Sequence, residues 1–297
     1  MTQQQRQALD ELLRNAPLDI GGDVAEQRVT FHEMTASVPV PEDVTAKQDE
    51  LGGVPVVTVE TPSTDPSVAV LYFHGGAYAL GSAADSIGLA ADVSRRVGAR
   101  AVSVDYRLAP EHPFPAAVDD AVAAYRALLD EGLPSTRIAF VGESAGGGLV
   151  AATLVVLKDA DLPQPASAAV FSPWVDLTVS GATATTKAGV DPVLTPEALR
   201  IRARDYLGDG DTATPLVSPI FADLSGLPPL LIQVGSHEIL LDDALRLAAS
   251  TAEHDVAVEL QVYPEVPHVF QGFAALLDDA DRALVAAAEF IRRNWIS

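Results

Sequence analysis

The chain has 297 residues, 48% of them hydrophobic, and a formal net charge of −22. Such an acidic surface repels nucleic acid and anionic membranes and disfavours polyanionic substrates, which leaves neutral small molecules as the expected ligands. There is no cysteine, so disulfides, thiolate metal sites and cysteine nucleophiles are excluded together. No apolar run approaches the ~20 residues of a membrane helix. The polar start MTQQQRQALDELLRN lacks the apolar stretch of a secretory signal, and the expected location is the cytoplasm.

Residues 1–45 read as helical. Leu9, Leu12 and Leu13 follow helical spacing, and Asp23 to Glu26 reads as a capping box before a second helix carrying Val29, Phe31 and Met34. From Val54 the pattern changes to strands alternating with helices. Strands are expected over 54–60, 68–73, 101–105, 138–141, 168–171, 230–234 and 256–262. Helices are expected over 84–97, 116–129, 145–158, 240–254 and 280–295. Several of the strands are continuous apolar runs, as befits strands buried on both faces. The alternation predicts an α/β fold, a mostly parallel central sheet flanked by helices, with ligands bound at the carboxyl ends of the strands. Residues 175–228 break the rhythm with prolines, threonines and one helix over 196–207. The segment is too long for a simple connection and reads either as part of a lid or as a surface excursion.

The strand over 138–141 runs into Gly142-Glu143-Ser144-Ala145-Gly146, and a helix follows at once. This is G-x-S-x-G in the strand–turn–helix setting that lifts a nucleophilic serine above a sheet edge. The turn is sharp, and its residues are accordingly small. A phosphate-binding loop would need a lysine after its last glycine, and a dinucleotide fingerprint would need G-x-G-x-x-G after an early strand; both are missing. His74-Gly75-Gly76-Ala77 follows the second strand. Adjacent glycines let backbone N–H groups approach a developing oxyanion without a Cβ in the way. The donors are assigned to Gly75, Gly76 and Ala145, and His74 reads as the residue that holds this loop in shape.

Of the six histidines, only His268 lies in a loop just after the final strand, which matches the chain order Ser…acid…His. The acid belongs after the preceding strand, where Glu238, Asp242 and Asp243 compete. Glu238 is nearest the strand end, whereas the two aspartates fall in a first helical turn, where acids suit the dipole. His237-Glu238 opens an H-E-x-x-H pattern, but Leu241 occupies the second histidine position, so the zinc reading fails. No metal or cofactor is indicated.

Together the HGGA loop, the segment Asp105-Tyr106-Arg107-Leu108-Ala109-Pro110-Glu111, GESAGGGL and the Pro264-x-x-Pro267-His268 ending resemble the bacterial hormone-sensitive-lipase (family IV) esterases of the α/β-hydrolase superfamily. The resemblance covers about residues 50–275. It is similar in particular to monoterpene ε-lactone hydrolases and short-chain acetyl hydrolases. It implies one α/β-hydrolase domain over 1–297, with helical cap elements from about 1–45 and 175–225. It also implies hydrolysis of short-chain neutral esters or lactones by a Ser144–His268–Glu238 triad without a cofactor. By analogy it implies a homodimer through an exposed final strand. Two departures stand out. The acid of many relatives is Asp where this chain has Glu238, and Glu143 stands where relatives often have Asp or Thr; Glu143 reads as loop-ordering. Asp105, Arg107 and Glu111 read as structural. Plant hormone receptors of the superfamily keep the pocket without the histidine; a non-catalytic ligand-binding protein is therefore the alternative from another class. An amidase or acyltransferase shares the first half of the chemistry.

Overall fold

The computed structural model describes residues 2–38 and 40–295. Met1 and Pro39, part of the segment read as helical, lie outside the described residues. Two helices form at the N-terminal end, α1 (Thr2–Arg14) and α2 (Val24–Ala36). The Asp23 carboxylate caps α2, accepting from the N–H groups of Ala25 and Glu26.

Eight strands follow: β1 (Thr45–Leu51), β2 (Val54–Glu60), β3 (Asp65–Phe73), β4 (Ala99–Val104), β5 (Ile138–Glu143), β6 (Ser167–Phe171), β7 (Leu230–Gly235) and β8 (Val258–Tyr263). They form one sheet in the order β1-β2-β4-β3-β5-β6-β7-β8. The β1/β2 and β2/β4 pairs are antiparallel and the remaining pairs parallel. Between them run α3 (Ile87–Val97), α4 (Ala116–Asp130), α5 (Ala145–Asp159), α6 (Thr183–Thr186), α7 (Pro196–Leu207), α8 (Leu241–Glu253) and α9 (Asp278–Asn294). Seven strands stand where the apolar runs predict them, with ends moved by no more than three residues.

The correction concerns 37–45. The described residues of this stretch are not helical, nor are residues 15–23 between α1 and α2, and Thr45 opens β1. The strand escapes a hydrophobicity pattern because only Leu51 of its seven residues is buried. Its true signal is the Gly52-Gly53 pair, both with positive φ (60° and 82°), which makes a two-residue hairpin turn onto β2.

Side chains alternate across the pleat. Leu71 and Phe73 of β3 enter a core shared with Leu128 of α4, Leu149 of α5 and Leu247 of α8. Val70 and Tyr72 of the same strand enter the core on the other face, with Val93 of α3 and Leu284 and Ile291 of α9. Both faces are thus covered, and the carboxyl ends of β3, β5, β6 and β7 are left as the open rim.

Three further segments gather at that rim. Helix α1 sets Leu9 against Val266 and Phe270, on either side of His268. Helix α2 buries no residue fully and is held by polar bonds. Its Arg28 donates to the carbonyls of Ala79 (2.8 Å) and Ala109 (2.9 Å) and forks onto Glu111. The Arg28 guanidinium holds the Glu111 carboxyl down at about 2. The segment following β6, with α6 and α7, is fastened to α8 by the buried Asp243, whose Oδ2 accepts the N–H groups of Val175 and Asp176, both at 3.0 Å. Among the described residues, no helix is long and apolar enough to cross a membrane.

Candidate active site

Strand β5 delivers Ser144 to the first position before α5, at φ 53° and ψ −122°. A non-glycine residue is strained there and persists only where its surroundings over-determine it. Here they do. The Ser144 N–H donates to the Phe171 carbonyl at 2.9 Å, and the Ser144 carbonyl accepts from Trp174 at 2.9 Å and Gly148 at 3.1 Å. The flanking glycines are required by close approach: a Cβ on Gly142 would lie 2.3 Å from the Gly146 carbonyl oxygen, and one on Gly146 would lie 2.0 Å from that of Phe73.

His268 comes from the loop after β8 and Glu238 from the loop between β7 and α8. His268 Nε2 lies 2.9 Å from Ser144 Oγ and Nδ1 lies 2.7 Å from Glu238 Oε2. A carboxylate can only accept, so Nδ1 carries the proton and Nε2 presents its lone pair to the serine hydroxyl. Burial pulls the His268 pKa down, but the hydrogen bond and charge of Glu238, with Asp191 and Glu143 adding, carry it above the ordinary imidazole value. Glu238 is fully buried. Its other oxygen accepts the Gly235 N–H at 2.6 Å and the Ser172 hydroxyl at 2.8 Å.

The two competing acids lie elsewhere. Asp243 serves the backbone of Val175 and Asp176, and Asp242 accepts the Ala182 N–H at 3.1 Å; neither is bonded to His268.

The glycine loop stands beside the serine, with the Cβ position of Gly75 only 3.3 Å from Ser144 Cβ. Among the described residues the N–H groups of Gly76, Ala77 and Ala145 have no protein acceptor, while that of Gly75 makes a long 3.4 Å bond to Glu143 Oε1. Ala77 is thus a free donor that the sequence reading passed over. His74 is buried, stacks on Tyr106 at 4.2 Å, and bonds through Nδ1 to the Gly75 carbonyl at 2.7 Å. Burial lowers its pKa; the neutral ring shapes the loop. Asp105 accepts the Ala83 N–H and Arg107 forks onto Asp120. Gly76 has φ 109°, and a Cβ there would lie 2.1 Å from the Leu80 carbonyl oxygen. Gly76→Ala should therefore cost about 2–4 kcal/mol of stability, read as a lowered Tm. An unchanged melting curve would refute this close approach.

Two bonded neighbours were not foreseen. Ser172 touches Glu238, and Asp191 accepts the N–H of Ile239 at 2.8 Å while closing its own turn on Val193 and Leu194. Neither lies in a motif; the only hint for Ser172 is its place directly after a parallel strand.

Comparison with known proteins identifies the family and the fold. Residues 70–272 match the model of an alpha/beta hydrolase fold family. An acetyl-hydrolase of Streptomyces hygroscopicus is 44% identical over 231 residues, covering 78% of this chain and 77% of that protein. The crystal structure of an esterase from the bacterial hormone-sensitive lipase family superposes with a TM-score of 0.95 at 38% identity, over 99% of both chains. EstE5, crystallised and soaked with p-nitrophenyl butyrate, gives 0.94 at 38% identity, again over 99% of both. The chain belongs to the α/β-hydrolase family, on its branch of bacterial hormone-sensitive-lipase-like esterases.

Proposed function

We propose that the chain hydrolyses short-chain neutral carboxylic esters through Ser144, His268 and Glu238 by way of an acyl-enzyme. Ester hydrolysis itself is the activity of the family. The observation that carries the finer reading is the pair of bonds on one buried imidazole, 2.9 Å to Ser144 Oγ and 2.7 Å to Glu238 Oε2.

His268 Nε2 takes the hydroxyl proton as Ser144 Oγ attacks the ester carbonyl. Glu238 steadies the imidazolium that forms. The N–H groups of Gly75, Gly76 and Ala145 receive the oxyanion; each such donor is typically worth about 3 kcal/mol of transition-state stabilisation. The Gly75 bond to Glu143, at 3.4 Å, is long enough to be exchanged for it. His268 then protonates the leaving alcohol, and water activated by the same nitrogen frees the acid. With a lactone, the alcohol stays tethered and the product is a hydroxy acid.

Helices α1 and α2 and the segment 175–225 would form the cap that walls the acyl site. Short acyl groups are favoured by the burial of Ser144, only 8% exposed, and by the relatives, one an acetyl-hydrolase and another soaked with a butyrate ester. The test is a series of p-nitrophenyl acetate, butyrate, octanoate and laurate beside a seven-membered lactone. Turnover is expected to fall from butyrate to laurate. A series that rises with length would remove the short-chain assignment, and a higher kcat/KM on the lactone would make the protein a lactone hydrolase. The ligand-binding alternative predicts tight binding with no turnover, and a histidine already bonded to the serine argues against it.

A homodimer through β8 completes the reading. This strand is an unpaired edge of the sheet with Leu260 37% and Val262 44% exposed, a surface suited to strand pairing. Light scattering should give twice the chain mass; a monomer at micromolar concentration would end this part of the proposal.

A further inference from the structure

We infer that Ser172 is a positioning residue for Glu238 and His268 together; the inference rests on the triad reading above. Ser172 is completely buried, immediately after β6, and is held at φ 48° with its N–H donating to the Gln233 carbonyl at 2.7 Å. Its Oγ lies 2.8 Å from Glu238 Oε1 and 3.1 Å from the N–H of Val269. The direction of both bonds is forced. A carboxylate cannot donate and an amide N–H cannot accept, so the hydroxyl proton goes to Glu238 and a hydroxyl lone pair takes Val269. One oxygen thereby joins the ends of β6, β7 and β8 at the residue carrying the acid and the residue following the base.

The length of the acid gives this bond its purpose. Glutamate has one more rotatable bond than aspartate, hence more freedom to lose when its carboxylate is fixed. Ser172 and the Gly235 N–H, at 2.8 and 2.6 Å, both seize Oε1, and this leaves Oε2 facing His268 Nδ1 at 2.7 Å. Val269 sits in the left-handed region at φ 51°, a conformation that needs an external anchor in a β-branched residue. Ser172 supplies it next to the imidazole.

The experiment compares Ser172→Ala and Ser172→Gly in the full chain, alone and combined with Glu238→Ala, using p-nitrophenyl butyrate. Glycine suits the positive φ and guards against a variant that fails to fold. A cooperative melt confirms folding in each case. For both single variants kcat should fall roughly 10- to 100-fold, as for loss of a hydrogen bond to a charged group, with KM within about 2-fold of wild type. In the Glu238→Ala background the same change should cost clearly less than in the wild type, because the carboxylate partner is already gone and only the Val269 bond is left to lose. Wild-type kcat in both single variants would overturn the inference. So would an equal loss in the two backgrounds, which marks a role in stability alone. Ser144→Ala is run beside them: turnover that survives it removes the triad reading and this inference with it, whereas Ser144-dependent turnover indifferent to Ser172 removes the inference only.

Discussion

Ser144→Ala is expected to lower kcat about 10⁴- to 10⁶-fold while the Tm stays near that of the wild type. The loss is this large because, among the described residues, the serine oxygen is the only nucleophile bonded to His268 Nε2. Alanine keeps the Cβ, so the strained turn at φ 53° and its backbone bonds to Phe171 and Trp174 remain. His268 loses a partner, but at 7% exposure a water can take the vacated position. What remains is catalysis by the oxyanion donors and by substrate positioning alone. Steady-state turnover of p-nitrophenyl butyrate with active-site titration reads the result. Activity within about 100-fold of wild type, from a protein free of contaminating esterase, would sink the assignment.

The second large effect is expected from Glu238→Gln, about 10³- to 10⁴-fold in kcat, and the hydrogen-bond pattern dictates why. The Ser172 hydroxyl and the Gly235 N–H both donate to Oε1. A glutamine must therefore put its carbonyl there and its NH₂ at the His268 end. Facing a donor, Nδ1 must accept, and the imidazole proton moves to Nε2, where it blocks proton transfer from Ser144. The fold should survive, since the side chain is isosteric. The pH profile gives an independent check. The base works only when neutral, so wild-type kcat/KM should fall as the pH drops through the His268 pKa, which Glu238 holds above the ordinary imidazole value. Without that charge, burial lowers it, and in the variant the acid limb of the profile should move to lower pH. A limb that moves upward would contradict this account of the pair.

Much of this site was legible in the chain because its residues lie next to punctuation with one physical meaning. Gly142 and Gly146 flank Ser144 where no Cβ fits, and Pro267-His268 follows the last apolar strand. The acid was harder. Glu238, Asp242 and Asp243 stand within six residues of one another, and only the tertiary fold sends one to the histidine and the others to the backbone of the segment after β6. Gly75 shows a different limit: a glycine pair marks a loop that approaches closely, but which N–H is free depends on where Glu143 points, which no local pattern encodes. Ser172 and Asp191 were out of reach for the same reason, since each acts on a loop far away in sequence. Strand β1 was missed because amphipathic spacing detects buried faces and this strand hardly has one.

That near-absence of a buried face in β1 bears on the dimer proposed through β8. The sheet has two edges. One is β1, where Thr45 to Glu50 are all exposed and Lys47, Asp49 and Glu50 bring charges of both signs; solvated charge on a sheet edge discourages strand addition. The other is β8, with apolar side chains in the open. A molecule with two adhesive edges can add copies head to tail without limit, whereas one with a single adhesive edge is satisfied by one twofold-related copy and stops. The charged hairpin thus acts as a chain terminator: in the dimer proposed through β8, it leaves no second adhesive edge from which the sheet could be extended.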